Sequence, residues 1–186
     1  MVKIASLLLA VAVAAVANAS PCMAPNKCIP ENIKEYRSFF LKGDNPGTYL
    51  SKSEYSDVVV SGMSSHLDNQ SLKMCVVSTD AECDPAFQTH CVYENVEYRF
   101  RVEEPVVGYL RVIETDDGKK ITIVKDYNSA SPLSIWKDGG WFLRVAQLQP
   151  DGSRLVFQTS TKGQPVDFVP LRFNGYQQYL HLESLS

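Results

Sequence analysis

From Phe39 to the C-terminus, short runs of β-branched and aromatic residues alternate with Gly, Pro, Asn and Asp, a pattern that predicts an all-β domain of many short strands. Twelve such segments follow in order: Phe39 to Lys42, Thr48 to Ser53, Asp57 to Ser61, Ser71 to Val77, Glu97 to Glu103, Gly108 to Glu114, Lys120 to Asp126, Pro132 to Lys137, Trp141 to Gln147, Ser153 to Thr159, Val166 to Arg172 and Gln178 to Glu183. No long 3.6-period stretch competes with them. The one helix candidate, Pro30 to Phe39, with Ile33, Tyr36 and Phe39 three apart, runs straight into the first segment and reads as part of a 20–38 lead-in.

The twelve segments fall into three groups of four. The last segment of each group carries a Leu-x-apolar signature: Leu72 with Met74, Leu133 with Ile135, Leu180 with Leu182. Phe100-Arg101-Val102 and Leu143-Arg144-Val145 open the second and third groups, with Phe40 in the corresponding place of the first. The second segments hold Leu50, Leu110 and Leu155, and the third segments hold Val58 with Val60, Ile121 with Ile123, and Val166 with Phe168. Period-2 alternation puts each set on one face, and three copies let those faces close on one another. The layout resembles the β-trefoil, a six-stranded barrel capped by three hairpins. A β-sandwich is the alternative. The domain is expected over 39–186.

The repeat is interrupted once. Leu110 follows Leu50 by 60 residues, whereas Leu155 follows Leu110 by 45, and the surplus lies in Ser78 to Val96. That segment is acidic at its start, carries Cys83 and Cys91, and has the length of a functional loop.

The N-terminus sets the compartment. Lys3, an apolar run from Ile4 to Val16, and Ala17-Asn18-Ala19 before Ser20 form a secretory signal peptide over 1–19. The apolar run is shorter than the roughly 20 residues that span a bilayer, so no membrane anchor is expected. Removal of Lys3 with the signal leaves 17 basic residues against 21 acidic ones, mixed along the chain, which argues against a nucleic-acid partner. In the extracellular space Cys22, Cys28, Cys75, Cys83 and Cys91 are disulfide candidates. Cys22 with Cys28 would close a small N-terminal loop, and Cys75 would pair with Cys83 or Cys91, one cysteine being left over. Asn69-Gln70-Ser71 is the glycosylation candidate.

Catalytic chemistry finds little footing. His66, His90 and His181 lie in unrelated segments, and the sequence holds no G-x-S-x-G elbow, H-E-x-x-H pair or glycine-rich phosphate loop. Asp116-Asp117-Gly118 reads as a hairpin turn, and adjacent Glu103 and Glu104 face opposite ways on a strand. Asp80, Glu82 and Asp84 are spaced like hard-cation ligands but lack the glycine and closing glutamate of a calcium loop, so neither a metal nor a cofactor is expected. Trp136, Trp141, Tyr127, Tyr176 and Tyr179 are candidates for stacking on sugars.

Local matches narrow the trefoil reading. Phe142-Leu143-Arg144-Val145, Ser153-Arg154-Leu155-Val156-Phe157, Gly47-Thr48-Tyr49-Leu50 and Asn174-Gly175-Tyr176 leading to Leu180-His181-Leu182 resemble strands of the Kunitz-type inhibitors of legume-seed type. In that family the reactive loop lies between the fourth and fifth strands. The resemblance therefore implies a binding loop at Asp84, Pro85, Ala86 and Phe87. The family's N-terminal signature is absent, the cysteine spacing differs, and the loop has no Lys or Arg to fill a trypsin pocket. The expected function is a secreted, non-enzymatic binding protein of protease-inhibitor type, its partner an extracellular protease; a carbohydrate-binding, lectin-like protein with a glycan partner is the alternative.

Overall fold

The structure is a computed structural model that describes residues 28–29, 39–43, 48–62, 70–78, 92–93, 96–137, 143–172 and 178–184. Its strands, in chain order, are β1 (Cys28–Ile29), β2 (Phe39–Gly43), β3 (Leu50–Lys52), β4 (Val59–Ser61), β5 (Lys73–Ser78), β6 (Val92–Tyr93), β7 (Glu97–Glu104), β8 (Gly108–Thr115), β9 (Gly118–Val124), β10 (Leu133–Lys137), β11 (Leu143–Leu148), β12 (Arg154–Gln158), β13 (Asp167–Pro170) and β14 (Leu180–Ser184). Twelve of them fall on the twelve segments read from the alternation. The remaining two, β1 and β6, pair only with each other.

Six strands close into a ring. β2 pairs with β5 (Phe39 opposite Met74), β5 with β7 (Val76 opposite Phe100), β7 with β10 (Tyr98 opposite Leu133), β10 with β11 (Ile135 opposite Val145), β11 with β14 (Leu143 opposite Leu180), and β14 returns to β2 (Leu182 opposite Leu41). A closed ring leaves no sheet edge to be covered. The other six strands form three hairpins, β3–β4, β8–β9 and β12–β13. The hairpins lean on one another in a triangle of bridges: Val58 with Thr122, Lys120 with Asp167, and Pro165 with Val60. Val59, Ile121 and Val166, the residues between the bridging positions, are fully buried at its centre. A six-stranded barrel under three mutually bridged hairpins is a β-trefoil.

Burial follows the Leu-x-apolar signature: Leu72, Met74, Leu133, Ile135 and Leu180 are all buried in the core. Each such side chain contributes about 1.5–3 kcal/mol over its exposed state. Three positions depart from the alternation as read in the sequence. The ring that stacks edge-on against Phe100, centroids 6.4 Å apart, is Phe39 rather than Phe40. In β4 the inward residues are Val59 and Ser61, not Val58 and Val60, because Val58-Val59-Val60 is apolar on both faces and offers no alternation to read. Ser61 is tolerated inside because its hydroxyl accepts the Ser160 N–H at 2.8 Å. In the third hairpin the partner of Phe168 is Phe157, in the place Leu110 takes opposite Ile123, while Leu155 is only partly buried.

The chain closes on a polar hub. Arg144, 1% exposed, donates from Nη1 to Gln178 Oε1 at 3.0 Å and to the Arg172 carbonyl at 3.2 Å, and its guanidinium lies 4.4 Å from the Tyr179 ring centroid. Gln178, itself buried, accepts the Arg172 N–H at 2.9 Å and donates to the Pro170 carbonyl at 3.0 Å. A buried guanidinium needs acceptors for its donors, and those of Nη1 come from the chain just beyond β13 and from the entry to β14.

Candidate functional site

The segment between the fourth and fifth strands of the trefoil leaves and re-enters the barrel at neighbouring positions, Ser78 of β5 lying in register with Tyr98 of β7. Its C-terminal part is tied down a second time, since Val92 and Tyr93 pair with Ile29 and Cys28 of the lead-in. Both short strands lie against β10. Nearby, Cys75 and Val77 are buried although they alternate with the core residue Met74, and Cys75 is disulfide-bonded. Residues 79–91, which hold Asp84, Pro85, Ala86 and Phe87 together with Cys83 and Cys91, lie outside the described residues, as do Cys22 and Asn69.

A second feature was not anticipated from the sequence. Between the turn of the β3–β4 hairpin and residues 162–163 lies a cleft of about 250 Å³, lined in part by Ser51, Ser53, Tyr55, Gln70 and Lys162. Tyr55 stands at its rim 94% exposed. The turn beneath it is fixed: Lys52 Nζ donates to the carbonyls of Ser53 and Ser56 and pairs with Asp57 at 3.5 Å, and the Tyr55 N–H donates to Ser53 Oγ. The opposite wall is fixed too, by Gly163 N–H on the Ser61 carbonyl and Ser61 N–H on the Gln164 carbonyl. Gly62 has no room for a side chain, since a Cβ there would fall 1.8 Å from Ser51 Oγ. The only sequence signal for Tyr55 is an aromatic residue in the polar run Ser53-Glu54-Tyr55-Ser56-Asp57.

No protein-family model and no curated protein sequence matches the chain. Among solved structures, winged bean albumin 1, a Kunitz-type legume β-trefoil, superposes with a TM-score of 0.54 at 10% identity, covering 81% of this chain and 92% of its own. The chain shares the β-trefoil fold. At that identity the likeness is one of backbone, so the chemistry of the trefoil must be read from its own residues.

Those residues are mostly occupied. Tyr127, singled out as a sugar platform, packs edge-on against Tyr109 at 5.5 Å and carries the Arg99 guanidinium 4.3 Å from its ring centroid. Tyr179 is taken up by Arg144 in the same way. Trp136 lies in β10, while Trp141, Tyr176, His66 and His90 fall outside the described residues. His181 is half-buried in β14, in register with Lys42. Asp116 and Asp117 form the exposed two-residue turn of the β8–β9 hairpin, with Gly118 supplying φ +112°. Lys73 pairs with both Glu103 and Glu104, at 3.9 and 3.3 Å.

Titration shifts among the described residues are structural. Burial and the hydrogen bond to Glu183 push the Tyr49 phenol up to about 12. The carboxyls of Asp126 and Asp151 are lowered by the hydroxyls of Ser129 and Ser153, as in two exposed turns. Among the described residues no group of three His, Cys, Asp or Glu side chains converges on a point where a metal ion would sit.

Proposed function

We propose that this β-trefoil is a secreted, non-enzymatic binding protein of inhibitor type whose contact surface is segment 78–96 and whose partner is an extracellular protease. The observation that carries the reading is the double anchorage of that segment: Ser78 and Tyr98 bring its two ends together on adjacent barrel strands, and β6 is strapped to β1. A segment held at both ends and again along its return loses less conformational entropy when a partner takes it up, and that saving becomes affinity. Loops carried on a rigid β scaffold are suited to such recognition.

The residues offered within the segment, Asp84, Pro85, Ala86 and Phe87, include no cation, so a protease with an apolar or small specificity pocket is the fitting target rather than trypsin. The signal sequence over 1–19 supports delivery to the oxidising space in which cysteines remain paired. The test is a panel of serine, cysteine and aspartic proteases. The expected result is inhibition of at least one, abolished when Asp84 to Phe87 are replaced by a Gly-Ser linker; inactivity of the wild-type protein across the panel overturns the proposal.

A further inference from the structure

The cleft beside Tyr55 lies between the first and third hairpins of the cap, and its walls are held by backbone bonds that leave little for a ligand's main chain. Ser53 N–H is taken by the Val58 carbonyl, Lys52 N–H by the Gln70 carbonyl, and Gly62 N–H by the Tyr49 carbonyl. β3 is bridged on both sides, to β4 and through Ser51 to Ser71, so no strand can be added there. Whatever occupies the cleft must be recognised by side chains.

The side chains present specify a chemistry. Tyr55 offers an almost wholly exposed ring, a surface that water hydrates poorly and that an apolar face of a ligand can cover. Lys52 is consumed by Asp57 and two carbonyls, which leaves Glu54 and Lys162 as the exposed charges of the cleft, and these two do not pair with each other. One carboxylate and one ammonium balance, so the rim favours neither an anion nor a cation. The lining thus includes a strong acceptor, a strong donor and an exposed aromatic ring. The volume, about 250 Å³, lies below the roughly 300–1,000 Å³ of sites that enclose drug-sized ligands, which limits the cleft to about one ring and its substituents.

We infer that this cleft is a binding site for a single neutral pyranose residue of a glycan. One face of such a ring is a patch of C–H groups whose hydrogens suit the electron-rich face of Tyr55. Its hydroxyls both donate and accept, and so satisfy Glu54 and Lys162 together. The site is independent of segment 78–96, and its failure would leave the inhibitor reading untouched.

The test is an array of neutral and acidic glycans with the full-length protein, followed by titration of the best neutral sugar. Binding of a neutral glycan is expected, weakened about tenfold or more by Tyr55→Ala, largely retained by Tyr55→Phe, and reduced by Glu54→Gln and Lys162→Gln. Because Tyr55 is exposed, its removal leaves the fold intact, which an unchanged melting curve verifies. Replacing Asp84 to Phe87 should not alter sugar binding. No binding on the array, a preference for acidic over neutral glycans, or affinity unmoved by Tyr55→Ala overturns the assignment.

Discussion

The phenol of Tyr49 donates to the carboxylate of Glu183, joining residues 134 positions apart and fastening the last strand of the barrel to the beginning of the cap. The phenol is buried, the Lys42 ammonium lies 5.8 Å from its ring centroid, and its pKa stands at about 12 against an ordinary 10.0. A phenol whose folded pKa is raised contributes stability that is fully present below the unfolded value and disappears as pH rises through the folded one. Stability is therefore expected to decline between pH 10 and pH 12, by at most about 2–3 kcal/mol from this group. Tyr49→Phe should flatten that decline while leaving the barrel folded. Urea denaturation midpoints measured against pH check it; an unchanged alkaline slope in Tyr49→Phe would refute it.

Arg144 and Gln178 make a second long-range tie. Gln178→Ala would strip the buried Arg144 of one acceptor and take the Gln178 side chain from the part-buried Arg172 N–H and Pro170 carbonyl. Losses of about 2–4 kcal/mol are expected, because the penalty is that of buried polar groups left unsatisfied rather than of one bond. Arg144→Met, which removes the charge with its demand, should cost less. Equal destabilisation of the two variants in denaturant unfolding would contradict this ordering.

At the centre of the cap, Ile121 is fully buried between the bridges that Lys120 and Thr122 make to the other two hairpins. Ile121→Ala should cost about 2–5 kcal/mol, since three hairpins meeting at one point cannot collapse into the space without breaking their bridges. Hydrogen exchange should show the loss of protection in β9 together with its bridged neighbours. A loss confined to β9 would mean that the triangle is not cooperative.

The strands themselves were legible because alternation survives wherever a polar face meets an apolar one. The register of β4 was not, since three consecutive valines suit either face and the decisive inward residue is a serine satisfied by Ser160, a hydrogen-bond partner that the sequence places 99 positions away. β1 and β6 escaped because two residues carry no period. Tyr127 looked like an open platform only because nothing in the sequence brings Arg99 to its ring. Tyr55 is illegible for the opposite reason: its exposure depends on how Lys52 staples the turn, and no local pattern encodes that.

The strap between β1 and β6 gives the most direct test of how segment 78–96 is held. Val92 pairs with Ile29, and the pair lies outside the barrel ring and the cap triangle. Val92→Pro removes a backbone donor and restricts the preceding residue, so it should break the two-residue ladder without touching the core. The expected outcome is a melting temperature close to that of the wild-type protein, faster proteolytic nicking within 79–91, and about tenfold weaker inhibition of whichever protease the panel identifies. The loss should appear in the dissociation rate, because the loop must now be ordered by the partner it binds. Inhibition at wild-type strength despite accelerated nicking would show that the strap protects the segment but does not prepare it for binding.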